Sequence, residues 1–389
     1  IRSCLVGSEM CIRDRGKRTL HGSVWFKPLV VARALHRGLV NMMGTINSNQ
    51  DSRQLLLNEF LKHSGISDLK LLPLADDCSF RRYYRVQTKT NNLVVMDAPP
   101  DKEEVNPFIQ MSDLLNSLGF SAPKILGKDV QNGFLLLEDF GNETYTKALS
   151  DGSKETNLYE NAIDVLIEIH NLKRLEERVD LPFYDQKKLQ NELSLFIDWY
   201  LEGRLRLDIS EKEKRRFFEA WIQCLTYIES CRTVLVLRDY HVDNLMVLAE
   251  RDGVRRCGLL DFQDAVVGPA SYDLVSLLQD SRRNISDEIS SLMLDRYFDG
   301  VEGVDNRNNF MKSYYILGTQ RALKVFGIFT RQAILYRNSK YLVHIPRLWR
   351  YTLANLQFEA LGEIRAWLDK NVPQGFICLL YTSDAADES

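Results

Sequence analysis

Asp239, Asn244 and Asp261 are the residues whose types and spacing point most directly to chemistry. Two short apolar runs, Val234 to Leu237 and Cys257 to Leu260, each lead to an aspartate, and a polar loop carrying His241, Asp243 and Asn244 lies between them. The three residues offer hard oxygen ligands and one spare carboxylate. Such a set suits Mg²⁺ held jointly with substrate phosphates better than Zn²⁺, which prefers nitrogen and sulfur. The plain alternative is a polar turn joining two strands, because D-x-x-x-x-N is common by chance. The second aspartate, an apolar run on each side and Tyr272-Asp273-Leu274 beyond favour the catalytic reading.

Apolar runs this short, bounded by polar clusters, predict buried strands whose ends project carboxylates from a rigid edge. Upstream, Leu55, Leu56, Phe60 and Leu61 recur at helical spacing between Asp51 and Ser64, with Gly65 as a stop. Strands are expected over 71–74, 83–87 and 93–96, with the turn Asp76 to Phe80 between the first two. Asn106-Pro107 is a cap followed by proline at the first helical position, and Gly119 ends that helix. Strands then fall at 124–127 and 134–137, after which Glu138-Asp139-Phe140-Gly141 leaves the sheet. Beyond that point the pattern turns helical: Ala162, Leu166 and Ile169 lead to His170, which reads as structural. Further helical blocks span 189–200 and 212–230, with no low-complexity linker or internal repeat.

The chain of 389 residues, 45% hydrophobic, can bury a full core and suggests two domains or one two-lobed domain. A formal net charge of −3 gives no global pull towards nucleic acid. Seven cysteines, at 4, 11, 78, 224, 231, 257 and 378, form no C-x-x-C pair, which reads as reduced thiols in a cytoplasmic protein. The apolar stretch near Val30 is broken by Lys27, Arg33, His36 and Arg37, so it makes neither a signal segment nor a membrane span. Residues 1–45 and 373–389 are expected to be a non-native leader and tail, because both ends look like translated sequencing-adapter sequence.

The runs LRDYHVDNLM and LLDFQDA, the strings SFRRYYRV, VVMDAPP and FLLLEDFG, and the later GTQRALKVFGIF and YLVHIPRLWRYTLANL together carry a family resemblance. The chain resembles the aminoglycoside-phosphotransferase-like proteins, which have a protein-kinase-like fold, and within them the bacterial anomeric kinases of N-acetylmuramate and N-acetylglucosamine in cell-wall recycling. The likeness covers roughly residues 50 to 370. It implies an α+β, two-lobed architecture: a small antiparallel-sheet lobe over 46–141 that binds nucleotide, and a larger, mainly helical lobe over 142–372 that holds the catalytic and substrate residues.

The resemblance also assigns roles. Asp239 would orient the acceptor hydroxyl and take its proton, His241 would stand where protein kinases carry a lysine, and Asn244 and Asp261 would hold Mg²⁺ against the phosphates of ATP, with GTP not excluded. Asp273 would brace the catalytic loop from the following helix. The turn before the second strand would cover the triphosphate; it lacks glycines, and Ser79, Arg81 and Arg82 are its available donors, although an ordinary hairpin with two solvated arginines is the alternative. The third strand ends in MDAPP where most kinases supply a lysine, which agrees with the anomeric-kinase subgroup. Backbone groups of Glu138, Asp139 and Phe140 would take the adenine edge.

Only about a dozen residues separate Asp261 from Tyr272, too few for an activation segment that docks a polypeptide, so a small-molecule acceptor is expected. From Asn306 to Phe358 there is no aspartate or glutamate but there are nine lysines and arginines. A solvated face is one reading of that bias. The other is a cationic acceptor wall in which Arg321, Lys324 or Arg347 pairs with the carboxylate of an anionic sugar. An aminoglycoside kinase, which would need clustered carboxylates there, and a catalytically silent nucleotide-binding protein are the competing functions.

Overall fold

The computed structural model describes residues 52–66, 70–75, 80–88, 92–173, 179–304 and 306–373. Ser79 and both expected non-native ends, apart from Pro373, lie outside them. The described chain separates into two compact units.

One unit takes in the described residues up to Asn106 together with Lys124–Asp139. Its helix α1, residues 52–63, packs on a five-stranded antiparallel sheet of order β1-β2-β3-β5-β4: β1 Leu71–Ala75, β2 Arg82–Gln87, β3 Asn92–Asp97, β4 Ile125–Asp129 and β5 Phe134–Glu138. The face of α1 that is buried differs from the one expected. Leu57, Phe60 and Leu61 enter the core with Val86, Val95 and Phe134, while Leu55 is 68% exposed. Leu57, Phe60 and Leu61 stand three and four residues apart and so share one helical stripe, from which Leu55 lies off.

The second unit comprises Pro107–Pro123 and the described residues from Phe140 onwards. Helix α2 (Asn106–Ser117) therefore groups with the later chain, whereas the sequence reading placed it in the 46–141 lobe. The physical reason is contact: the Phe108 ring packs 5.0 Å from Phe262, and Ser121 O accepts a 2.7 Å hydrogen bond from Leu259 N.

The remaining helices of this unit are α3 Tyr145–Ser150, α4 Glu155–His170, α5 Gln186–Leu195, α6 Glu211–Glu229, α7 Ser271–Leu278, α8 Asp287–Gly300, α9 Arg307–Tyr336, α10 Ile345–Asn355 and α11 Gly362–Asn371. A π-helical stretch, Phe196–Arg204, continues α5 where the sequence pattern suggested one unbroken helix to Tyr200. It seats Tyr200 against Phe326 and Trp349, with Trp349 Nε1 donating to Tyr200 Oη at 2.9 Å.

The two predicted catalytic strands form, as β6 (Thr233–Val236) and β8 (Cys257–Leu259), but they do not pair with each other. β6 pairs with β9 (Val266–Pro269) and β8 with β7 (Leu245–Val247), both antiparallel. The partners β7 and β9, of three and four residues, are not among the strands expected from the sequence.

Candidate active site

Asp239 follows β6 through a turn that the backbone alone would not favour. Arg238 has φ 70°, in the left-handed region that costs a side-chain-bearing residue about 1–2 kcal/mol. Three contacts impose it. The Asp273 carboxylate, from α7, accepts hydrogen bonds from Leu237 N at 2.6 Å and Arg238 N at 2.9 Å. The Arg238 guanidinium is fully buried and donates to Glu192 Oε1 at 2.7 Å. Ser276 Oγ donates to Arg238 O at 3.3 Å. Burial pushes the Asp273 carboxyl up to about 7, against the lowering effect of its two backbone donors. Asp239 emerges from this turn with Oδ2 buried and without a hydrogen-bond partner.

The β7–β8 register brings the other two motif residues together. Leu245 pairs with Leu259, so Asn244 just before one strand and Asp261 just after the other lie at the same end of the ladder, and Leu260 N donates to Asn244 O at 3.0 Å. Asp261 also sits at positive φ, 55°. Gln263 Nε2 donates to Asp261 Oδ1 at 2.5 Å, and Asn244 Nδ2 ties to Asp239 O at 2.8 Å. Thus Asn244 links the end of the β7–β8 ladder, where Asp261 lies, to the Asp239 turn. Among the described residues no three His, Cys, Asp or Glu side chains gather to hold a metal ion by themselves. An amide and a carboxylate whose remaining ligands come from substrate phosphates fit the habit of Mg²⁺, which rarely takes an all-protein cage.

His241 is buried, with Nε2 3.3 Å from Arg282 Nη1 and 3.4 Å from Asn244 Nδ2. Burial, then Arg282 and Arg321, hold the imidazole well below its ordinary range, so it is neutral at physiological pH and carries no charge into the site. Facing two donors, Nε2 acts as acceptor. Arg282 lies off the sequence-predicted list; its Nε is 3.2 Å from Asp243 Oδ2, and Thr146 Oγ1 also donates to Asp243. Its only sequence signal is an arginine pair just beyond the apolar helix α7.

Asp239, Ser281, Arg282, Arg321 and Lys324 line one recess together with the apolar Val325, Ile328 and Phe329 of α9. Lys324 is 3.2 Å from Glu192 Oε1 and from Tyr272 Oη. Burial works against its ammonium charge, but Glu192 offsets this and raises its pKa. Glu192 is thereby shared between Lys324, Arg238, Tyr184 and Gln320. Arg347 is absent from the lining of this recess: it donates to Ser281 O at 2.8 Å and to Asn284, so it holds the segment that carries Arg282.

In the other unit, Arg81 Nη2 is 3.1 Å from Glu103 Oε2, and Arg82 is exposed at the start of β2. Asp97, where kinases carry the strand lysine, pairs with Arg53 at 2.5 Å. Asp139 takes Arg85 through both oxygens, at 2.5 and 2.8 Å, a fork that fixes the carboxylate within its own sheet. Glu138 N donates to Lys124 O at 2.9 Å, so of the expected hinge donors this one is spent within the sheet. Phe140 lies against Gly258, where an added Cβ would stand 2.9 Å from the ring, and beneath Arg251.

The sequence profile described as the Phosphotransferase enzyme family matches residues 70–307. The chain belongs to that family. The N-acetylmuramate/N-acetylglucosamine kinase of Caulobacter vibrioides is 34% identical over 349 residues, covering 81% of this chain and 95% of the relative. The protein of the same name from Pseudomonas aeruginosa is 36% identical over 317 residues, covering 79% and 89%. Among solved structures, the GDP complex of aminoglycoside 2'-phosphotransferase-IIIa shares the fold of this phosphotransferase with TM-score 0.55 at 14% identity, covering 78% of this chain and 98% of that one. A choline/ethanolamine kinase family protein from Mesorhizobium loti matches with TM-score 0.52 at 12% identity, covering 78% and 92%. The fold is thus the two-lobed α+β, protein-kinase-like one, and the chain is a phosphotransferase of the kinase type acting on an alcohol group. Among the described residues no helix is long and apolar enough to cross a membrane, and Cys224, Cys231 and Cys257 are unbridged.

Proposed function

We propose that this phosphotransferase is a cytoplasmic kinase that moves the γ-phosphoryl group of ATP to the anomeric hydroxyl of N-acetylmuramate or N-acetylglucosamine in cell-wall recycling. The observation that carries the reading is Asp239 itself: a carboxylate with one oxygen buried and unpartnered, set in a recess whose other charged members are cations. The names of the relatives supply the sugar.

In this reading Asp239 accepts the proton of the sugar hydroxyl as that oxygen bonds to the γ-phosphorus and the bond to the β–γ bridging oxygen breaks, leaving the nucleoside diphosphate with the negative charge. Asp273 and the Arg238–Glu192 pair hold the turn that aims it. Asn244 and Asp261 would hold Mg²⁺, which supplies charge neutralisation at the phosphate oxygens when bound. Arg81 and Arg82 remain the proposed phosphate contacts, and the backbone of Asp139 and Phe140 the proposed base contacts. GTP is the alternative donor.

An aminoglycoside kinase must receive a polycation, and three cations around Asp239 oppose that. A silent nucleotide-binding protein has no need of an aspartate aimed by a strained, braced turn at Arg238. A phosphate-transfer screen over N-acetylmuramate, N-acetylglucosamine, other hexoses and kanamycin-like amines tests the reading. Turnover of the two N-acetyl sugars with no transfer to the amines is expected; the opposite pattern would overturn it.

A further inference from the structure

The three cations of the Asp239 recess differ in how far the protein itself neutralises them. Arg282 is engaged by Asp243 at 3.2 Å and by His241 at 3.3 Å. Lys324 is engaged by Glu192 and by Tyr272 Oη, each at 3.2 Å. Arg321 is only 5% exposed, yet among the described residues its guanidinium makes neither a hydrogen bond nor an ion pair. None of its nitrogens is sealed from solvent, so its five N–H donors stay open towards the recess with no acceptor among the described residues. A fold that retains such a group has a use for it that its own side chains do not satisfy.

The surroundings of Arg321 say what that use is. It stands on α9 one turn before Lys324, so both present to the same face. Around it are Asp239 in the recess, Asp273 of α7, and Asp280 and Arg282 of the segment that follows α7. None of these three aspartates comes within ion-pair distance of it. Arg321 and Asp239 line the same recess, so the guanidinium stands on the side of the proton-accepting carboxylate. A planar guanidinium fork pairs bidentately with a carboxylate, a match a lysine ammonium lacks.

We propose that Arg321 is the specificity-determining residue of the acceptor site, and that it receives a carboxylate borne by the sugar. The inference rests on the sugar-kinase reading above and deepens it. Of the two N-acetyl sugars, N-acetylmuramate carries a lactyl carboxylate and N-acetylglucosamine has a hydroxyl at the same carbon. Arg321 is therefore the group that tells them apart. Lys324 serves by contrast as a fixed strut between Glu192 and the recess.

The test is the ratio of kcat/KM for N-acetylmuramate to that for N-acetylglucosamine, in the wild type, Arg321→Met and Arg321→Lys. The ratio should fall by about tenfold or more in the methionine variant, mainly through the KM for N-acetylmuramate, and recover in part in the lysine variant. In the wild type, N-acetylmuramate with its carboxylate amidated should lose the same factor, a comparison that needs no variant to fold. An unchanged ratio, or an equal loss of kcat for both sugars, would overturn the assignment and leave the sugar-kinase reading intact. Failure of the wild type to phosphorylate either sugar would overturn both.

Discussion

Asp273 turns the Asp239 turn from a possible conformation into an imposed one. Asp273→Ala leaves Leu237 N and Arg238 N without their acceptor in a buried setting, with an expected cost of about 2–5 kcal/mol. Chemical denaturation measures it, and a loss below 1 kcal/mol, of the order of a surface change, would contradict the bracing role. On the metal side, Asp261→Ala should raise the Mg²⁺ concentration for half-maximal rate while leaving folding intact; an unchanged Mg²⁺ titration would remove Asp261 as a ligand. The motif residues were legible because chemistry fixes their types and spacing along a short stretch. Glu192 was not, since it meets Arg238 across 46 residues and reads in sequence as one more polar position on an amphipathic helix. Arg321 was visible only as part of a charge bias; its lack of a partner is a property of packing.

At the scale of elements, pattern located α1, α2, α4, α5, α6 and the strands of the five-stranded sheet, but not α9, the 30-residue helix Arg307–Tyr336. It also missed β7 and β9, of three and four residues, although it found the equally short β6 and β8, and it is the pairing of β7 with β8 that aligns Asn244 with Asp261. Helix α9 carries both Arg321 and Lys324, and its approach to α5 depends on Gly327, where an added Cβ would stand 2.3 Å from Leu195 O. Backbone cannot yield as a side-chain tip can. Gly327→Ala is expected to destabilise by about 2–3 kcal/mol and to lower kcat by shifting the recess wall. Thermal unfolding and turnover of the same preparation check this, and an unperturbed variant would show that the helices are not held at that distance.

Across the whole molecule, buried neutral histidine ties stability to pH. Burial, with Arg232 adding to it, lowers the His170 pKa to about 3, and Nδ1 lies 2.7 Å from Tyr297 Oη. A folded-state pKa below the unfolded one gives stability that is present above about pH 6.5 and lost as pH falls, because only the unfolded chain takes up the proton. From pH 6.5 to 4 this one residue removes on the order of 3 kcal/mol, so His170→Gln should show a flatter stability–pH curve over that window. Equal slopes by denaturant titration would contradict it. The near-neutral total charge told nothing of the cationic recess, because opposite charges elsewhere in the chain cancel it in the sum. The central claim, that Asp239 drives phosphoryl transfer to a sugar C1 hydroxyl, is tested most directly by ³¹P NMR of the reaction of ATP, Mg²⁺ and N-acetylmuramate with wild type and Asp239→Asn. The account predicts a sugar 1-phosphate signal in the wild type and a rate lower by roughly 10² to 10⁴ in a folded Asp239→Asn variant. Phosphate appearing on another hydroxyl, or a near-normal rate in that variant, would contradict it.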